Sequence, residues 1–180
     1  MSLKELTASK HAQAERQDFV YILLSGRIRP EEYFKFICNQ YICYFELESK
    51  LYNWFESNGL ENLRRSSKIR EDIAHFEKVY GFLYRQDMLC PSSLDYIKYV
   101  KEADQASLIP HVYVRHFGDM FGGQMIARKV PGIHKLYEFE NKAELIAKVR
   151  ALLDDSMAEE ANRCFDFAIA LFKDLTPNQL

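Results

Sequence analysis

Helical periodicity is the feature of this sequence that most limits its possible folds. Apolar residues recur at spacings of three and four along most of the chain, and no stretch alternates convincingly between apolar and polar residues. Proline, glycine or serine separates the helical segments, as expected at helix ends. The sequence therefore predicts one all-α domain of about eight helices over residues 1–180. The predicted helices cover residues 2–15, 18–24, 30–59, 68–86, 94–106, 110–130, 142–153 and 158–175.

Length and composition exclude several classes of protein. A chain of 180 residues with 48% hydrophobic residues is expected to form a single domain with a full core. The net charge of -2 gives no case for nucleic-acid binding. No apolar run is long enough to span a membrane and the N-terminus lacks an apolar signal region, so we expect a cytoplasmic protein. The four cysteines form no CxxC pair, which argues against a zinc site and favours reduced thiols.

Three glycines interrupt one of the predicted helices. Gly118, Gly122 and Gly123 lie within residues 113–129, although each glycine costs a helix interior about 1 kcal/mol relative to alanine. Glycine lets a backbone lie directly against another group, and Gly118 and Gly122 share one helix face. One interpretation is a kink or close packing between helices. The other is a helix that lies on a flat ligand, with Asp119 directed at its reactive side.

A second candidate site is His11, which Glu15 follows one helical turn later. A metal-ligating histidine usually gives its other ring N–H to a carboxylate or carbonyl, so Glu15 could orient this ring. A neutral imidazole held in this way is a suitable axial ligand for haem iron. The spacing alone is a weak signal, because His75 also has an acid, Glu71, one turn away.

Two segments together resemble the haem oxygenase family. Residues 10–15 (KHAQAE) are similar to the proximal segment of that family, and residues 113–124 (YVRHFGDMFGGQ) are similar to its distal helix. Their order and separation match the family, residues 159–175 resemble its final helix, and the compact size is most like forms from bacteria, cyanobacteria or their viruses. The resemblance implies a haem oxygenase-like helical fold. It also implies cleavage of haem b, with dioxygen and electrons, to biliverdin (the IX-alpha isomer expected), carbon monoxide and ferrous iron.

The resemblance also implies roles for individual residues. His11 would be the proximal iron ligand and Glu15 its partner, while the three glycines would let the distal helix rest on the porphyrin. Asp119, with Arg115, would hold the water chain that supplies a proton to the activated dioxygen. Cations and hydrogen-bond donors at the rim of the pocket would bind the haem propionates. The candidates for this rim are Lys4, Tyr113 and Arg150.

Two positions depart from the family pattern. Ile146 stands where the family often has a lysine one turn before the position of Arg150, so Lys142 or Lys148 would substitute, or the grip on the propionates would be weaker. Phe121 stands where the family commonly has a small hydroxyl residue. Its ring would pack either over the haem or away from it, which affects the shape of the pocket and the position of ring opening.

The resemblance implies an external reductant, because the chain has no flavin or nicotinamide fingerprint of its own. A ferredoxin or a similar small acidic donor would suit a basic face of the protein, although such charges also occur simply for solubility. A downstream bilin reductase is a further candidate partner. The residues predicted to form the basic face are Lys98, Lys101, Arg115, Arg128 and Lys129.

Three alternatives remain open at the level of sequence. The first is a non-catalytic protein of the same fold that binds or carries haem. The second is a helical enzyme with another substrate, such as a thiaminase-like hydrolase, although no suitable nucleophile and acid stand out. The third concerns Cys90-Pro91, a dipeptide similar to those that bind haem through a thiolate in some regulatory proteins, which here also marks a helix break.

Overall fold

The computed structural model describes residues 1–177, and within them the chain forms nine α-helices, four short 3-10 helices and no strand. The predicted all-α fold is therefore confirmed. The 3-10 helices cover Glu61–Leu63, Gln86–Met88, Lys135–Tyr137 and Asp155–Met157. The α-helices are α1 (Leu3–Glu15), α2 (Asp18–Leu24), α3 (Pro30–Lys50), α4 (Tyr52–Ser57), α5 (Ser66–Tyr80), α6 (Pro91–Glu102), α7 (Gln105–Ala127), α8 (Lys142–Arg150) and α9 (Ala158–Leu175).

Helix α1 begins at the capping box that its sequence contains, whereas α7 does not begin at the proline predicted to start it. The side chain of Ser2 accepts a hydrogen bond from the backbone N–H of Glu5, whose carboxylate accepts one from the Ser2 N–H, which completes a capping box. The prediction that Pro110 opens the glycine-containing helix was wrong. Asp104 caps α7 by accepting a hydrogen bond from the Ser107 N–H at 2.8 Å, so Pro110 lies inside the helix.

Several predicted helices end earlier in the structure, among them those predicted over residues 94–106 and 142–153, which end at Glu102 and Arg150. The helix predicted from Pro30 to Gly59 is divided at Leu51, which separates α3 from α4. The next predicted helix ends at Tyr80, because Gly81 takes a left-handed conformation with φ of 70°. The number of helices is therefore higher than predicted, although the type of secondary structure is the same.

Helix α9 brings together the elements that carry the candidate site. It packs against α1, α2, α3, α6 and α7, while α3 also packs against α5 and α6. Ala14 of α1, Val114 of α7 and Phe165 of α9 share one buried apolar cluster. The first helix and the glycine-containing helix therefore meet on the same surface of α9. Among residues 1–177 no helix is both long and apolar enough to cross a lipid bilayer.

Candidate active site

Gly118 and Gly122 leave part of one face of α7 open. A methyl group built on the α-carbon of either residue would have no neighbouring atom within 4 Å beyond the adjacent residues and the backbone of its own helix. Val114 lies one turn earlier on the same face and packs into the cluster shared with α1 and α9. Side chains therefore fill the space beside α7 as far as Val114. The two glycines continue this face without filling the space beside it.

Two large apolar side chains stand exposed beside this open face. Phe121 and Met125 are 56% and 62% exposed. The Phe121 ring lies edge-on to Phe117, with 5.5 Å between ring centroids. Exposed aromatic and thioether groups around a surface without side chains suit a flat, apolar ligand.

Gly123 lies on a different side of α7. A β-carbon at this position would lie 2.9 Å from Cγ of Tyr137, and the ring of Tyr137 is buried. The missing side chain of Gly123 therefore makes room for Tyr137. In the structure Gly123 serves this packing contact rather than the open face formed by Gly118 and Gly122.

Alanine substitutions at Gly122 and Gly123 are expected to change the stability of the protein in opposite directions. Gly123→Ala forces the Tyr137 ring to move and should lower the free energy of unfolding by about 1–3 kcal/mol. Gly122→Ala meets open space and should raise it by about 0.5–1 kcal/mol, because alanine favours the helix. Chemical denaturation of the haem-free variants measures both values. Equal effects from the two substitutions would contradict the geometry.

Asp119 lies between the two open glycines and is half-buried. Tyr44 of α3 donates a hydrogen bond to its carboxylate, and the same hydroxyl oxygen lies 2.9 Å from the carbonyl oxygen of Arg115. Burial raises the pKa of Asp119 to about 6, although the Tyr44 hydrogen bond and the charges of Arg115 and Arg65 oppose the shift. A carboxyl group with this pKa can take up and release a proton near neutral pH.

Arg115 is a buried residue, so it does not belong to the exposed basic face that was predicted from the sequence. Its Nη1 donates to Oε1 of Gln40 at 3.4 Å, and its guanidinium lies 4.0 Å from the centre of the Tyr96 ring. These contacts place its charge in the protein interior, where it acts on the pKa of Asp119. The remaining predicted members of the face are exposed: Lys98, Lys101, Arg128 and Lys129.

His11 is exposed on α1 and close to Glu15. Its Nε2 lies 3.4 Å from Oε1 of Glu15, with the two side chains 56% and 64% exposed. The ring centroid lies 5.6 Å from that of Phe165, which shares its cluster with Val114 of α7. Since Nε2 faces the carboxylate, iron coordination through this atom requires the imidazole to turn so that Nδ1 meets Glu15. The exposure of the ring leaves room for that rotation.

The predicted propionate contacts lie on three different helices. Lys4 is exposed on α1 and Arg150 is exposed at the end of α8, and neither has an ion-pair partner within residues 1–177. Tyr113 is half-buried on α7, with its ring 5.7 Å from that of Phe117. Two cations and one hydroxyl are therefore available for anionic groups.

The two lysines considered as substitutes for Ile146 differ in their contacts. Lys148 donates to the carbonyl oxygen of Gly59 at 3.0 Å and pairs with Glu144 at 2.7 Å, so its ammonium group is already engaged. Lys142 lines a separate polar cleft. Ile146 itself packs against an apolar cluster. Lys148 is thus the less suitable substitute of the two, because its ammonium group already has two partners.

Cys90 is poorly suited to bind iron. The residue is 3% exposed, its N–H donates to Oδ1 of Asn39 at 2.8 Å, and burial raises the pKa of its thiol. A metal-binding cysteine needs to be a thiolate, which this environment disfavours. Pro91 begins α6, so the dipeptide has a structural role as a helix start.

Three tyrosines around Asp119 were not identified from the sequence. Tyr33 and Tyr44 lie on the same face of α3, since 11 residues make about three helical turns. That spacing is visible in the sequence, although nothing in it connects either residue with Asp119. Tyr137 belongs to a segment outside the predicted helices, so no helical spacing indicated where its side chain would lie.

Proteins similar to this chain are named heme oxygenases. A family model described as heme oxygenase matches residues 1–174. The heme oxygenase of Rhodella violacea is 28% identical, with 99% of this chain and 87% of that protein aligned. The heme oxygenase 1 of Nostoc sp. is 25% identical, with 96% and 83% aligned.

Solved structures show the same fold. The crystal structure of heme oxygenase-1 from Synechocystis sp. in complex with heme has a TM-score of 0.80 and 25% identity, and the match covers 96% of this chain and 90% of that one. Heme oxygenase from Leptospira interrogans has a TM-score of 0.81 at 23% identity, covering 96% and 98%, and supports the fold alone. The family match over nearly the whole chain shows that this protein belongs to the haem oxygenase family.

Proposed function

We propose that this protein cleaves haem b to biliverdin, carbon monoxide and ferrous iron, using dioxygen and electrons from an external reductant. The observation that supports the proposal most is the open face of Gly118 and Gly122 on either side of Asp119, a carboxyl group with a pKa of about 6. The relative from Synechocystis sp. was solved in complex with heme, which supports haem as the ligand. Haem is the substrate, and its iron would activate dioxygen once the reductant has delivered electrons.

Residues of α1 and α7 hold the substrate from opposite faces in this proposal. His11 binds the iron and Glu15 orients the imidazole through the other ring nitrogen. Gly118 and Gly122 let the backbone of α7 lie close to the porphyrin, and Phe121 contacts its apolar edge. The rim residues proposed for the propionates are Lys4, Tyr113 and Arg150.

Asp119 has the proposed role of supplying protons through water. Its carboxyl group holds a water molecule above the substrate, and the Tyr44 hydrogen bond fixes its orientation. The charge of Arg115 keeps the pKa of Asp119 from rising further, so the group still ionises near neutral pH. The close backbone at Gly118 and Gly122 leaves little height above the porphyrin. Dioxygen is thereby directed toward one edge of the ring, and we propose the IX-alpha isomer of biliverdin as product.

A ferredoxin or a similar small acidic protein is the proposed reductant. The exposed cations would attract such a donor and orient it. A downstream bilin reductase is the proposed acceptor of the product. The cations in question are Lys98, Lys101, Arg128 and Lys129, all of which are exposed.

Charge reversal should test the proposed docking face. The double substitution Arg128→Glu with Lys129→Glu is expected to raise the KM for ferredoxin about tenfold at low salt, with kcat unchanged at saturation, because opposite charges guide the encounter. Added salt should reduce the difference. Bilin formation as a function of ferredoxin concentration measures this. Lys78→Glu, an exposed site on α5, serves as the control. A KM that does not change, or does not respond to salt, would exclude these two residues from the docking face.

One spectroscopic experiment separates the proposed function from its alternatives. Haem is added to the purified protein, followed by ferredoxin, its reductase and NADPH in the presence of oxygen. Loss of the haem band with growth of a bilin band supports the enzyme, and chromatography of the product identifies the isomer. A stable haem band under the same conditions supports a haem carrier. No haem band at all would favour a different substrate.

A further inference from the structure

A buried carboxylate holds the segment that connects α7 with α8. We call residues 133–139 of this segment the brace. The two carboxylate oxygens of Asp72 on α5 accept hydrogen bonds from the N–H groups of Lys135 and Leu136, each at 2.8 Å. Asp72 is only 1% exposed. Hydrogen bonds from backbone N–H groups to an ionised carboxylate are among the strong ones, so Asp72 fixes the backbone of the brace.

Backbone strain lies close to both ends of the brace. His134 and Asn141 take left-handed conformations, with φ of 62° and 52°. For a residue with a side chain this conformation costs about 1–2 kcal/mol. Strained backbone persists only where the surrounding structure enforces it, and it concentrates at functional sites. The hydrogen bonds to Asp72 therefore help to keep the brace in a shape that its own backbone does not favour.

The brace packs against the glycine-containing half of α7. The Tyr137 ring occupies the space that the missing side chain of Gly123 leaves. Nε2 of Gln124 also donates a hydrogen bond to the Tyr137 carbonyl oxygen at 2.8 Å. Gly122 directly precedes these two residues of α7 and belongs to the open face on which we propose that haem lies. A displacement of the brace would therefore reach the backbone that faces the substrate.

Arg65 supports the other end of the brace. Its Nη1 donates to the Glu138 carbonyl oxygen, and its guanidinium lies 3.9 Å from the centre of the Phe139 ring. An open cleft of about 850 Å³ borders the brace and the end of α7. Next to that open space, the position of the brace depends on the side chains that hold its backbone, Asp72 and Arg65.

We propose that Asp72 is a positioning residue for haem binding: it holds the brace, and the brace sets the position of the glycine-containing half of α7 over the substrate. The inference rests on the proposed function. Asp72 acts only through the brace, because backbone N–H groups of the brace engage both of its oxygens. The two ends of the glycine motif then have different roles. Gly118 and Gly122 face the haem, whereas Gly123 and Gln124 contact the brace.

Amide hydrogen exchange in the haem-free protein tests whether Asp72 holds the brace. Asp72→Asn places an N–H donor against a backbone N–H, so exchange at Lys135 and Leu136 should become about tenfold faster. Asp174→Asn is the matched control, because its carboxylate also accepts a backbone N–H, that of Ser92 at 3.0 Å, but lies outside the brace. The control should leave both amides unchanged. Unchanged exchange in Asp72→Asn would overturn the proposal.

Haem titration tests whether the brace positions α7. The Kd for haem should rise about tenfold in Asp72→Ala and about threefold in Asp72→Asn, because asparagine keeps one acceptor oxygen. The circular dichroism of the bound haem should change in the same order, since the position of α7 alters the surroundings of the ring. Asp174→Asn should match the parent in both quantities at a temperature at which all variants are folded. A Kd and spectrum like the parent in both Asp72 variants, or an equal change in the control, would overturn the proposal.

A double-mutant cycle tests the route through the brace. Gln124→Ala alone should raise the Kd about twofold, and its effect should be smaller in the Asp72→Asn background, because both substitutions loosen the same contact. Effects that simply multiply would mean that Asp72 does not act through the brace. If the parent binds haem but forms no bilin, the proposed function fails, and the affinities still decide the positioning role. If the parent binds no haem, both proposals fail.

Discussion

Asp119→Ala is expected to keep haem bound but to lower the rate of bilin formation by about 100-fold. Proton supply by a positioned group typically contributes 10²–10⁴-fold, and alanine can neither hold the water nor exchange a proton. Haem binding should persist, because Gly118, Gly122 and His11 are unchanged. Absorbance of the haem and bilin bands after addition of reductant measures both effects, and the bound haem should instead show peroxidase-like or stalled chemistry.

The control for this substitution is another acid on the surface. Asp95→Ala removes an exposed carboxylate from α6 and should leave haem turnover as in the parent. A normal bilin yield from Asp119→Ala would remove Asp119 from the mechanism. Loss of haem binding in that variant would instead assign the residue to the shape of the pocket.

Asp119→Asn adds a measurement that does not depend on haem. Burial raises the pKa of Asp119 from 3.8 to about 6 in the folded protein, so ionisation is harder there than in the unfolded chain. The stability that the protonated group contributes is complete below pH about 4 and is lost as pH rises through about 6. The uncharged asparagine avoids that loss.

The melting temperature of Asp119→Asn should therefore match the parent near pH 4 and exceed it above pH 6. A shift of two pKa units corresponds to about 3 kcal/mol, which partial exposure to solvent reduces to about 1–2 kcal/mol. That range corresponds to a gain of about 3–6 °C. A difference that is constant with pH would show that the carboxyl group does not titrate in this range.

The sequence predicted the helices more reliably than their ends. Apolar spacing identifies a helix from many residues, whereas an end depends on a few local contacts. Asp104 begins α7 by a single capping hydrogen bond, although Pro110 was the more visible signal. The break at Leu51 has no proline or glycine, so the run from Pro30 appears continuous in the sequence. Gly81 is a typical residue for ending a helix such as α5. The predicted helix continued past it because apolar residues follow Gly81 in the sequence.

The sequence predicted those features of the candidate site that depend on the spacing of residues within a single helix. The shared face of Gly118 and Gly122 follows from their spacing, and the structure shows that face to be open. Contacts between distant segments were not predictable. Gly123 looked like a third member of the same group, but its neighbour is Tyr137, which comes from a segment without helical periodicity. The burial of Arg115 likewise depends on α3 and α6, which supply Gln40 and the Tyr96 ring.

His11→Ala is expected to give the largest loss of function among the site variants. The proposal gives the iron one protein ligand, so its removal should abolish the spectral signature of an axial histidine and lower bilin formation by more than about 100-fold. Loss of a group that only orients a ligand already costs about 10–100-fold in metal affinity or activity. Glu15→Gln should show that smaller effect, because the ring remains but its orienting carboxylate is lost. Haem titration followed by absorbance and resonance Raman spectroscopy measures coordination.

His75 provides the matched control, because it is also a helical histidine with an acid one turn away, Glu71. His75→Ala should leave the haem spectrum and turnover unchanged, since its ring packs against Phe76 on α5. Added imidazole should restore the axial-ligand spectrum in His11→Ala, because the exposed position of the ring leaves space for a free ligand. A haem spectrum that His11→Ala leaves as in the parent would mean that another residue binds the iron, and the pairing of α1 with the open face of α7 would have to be abandoned.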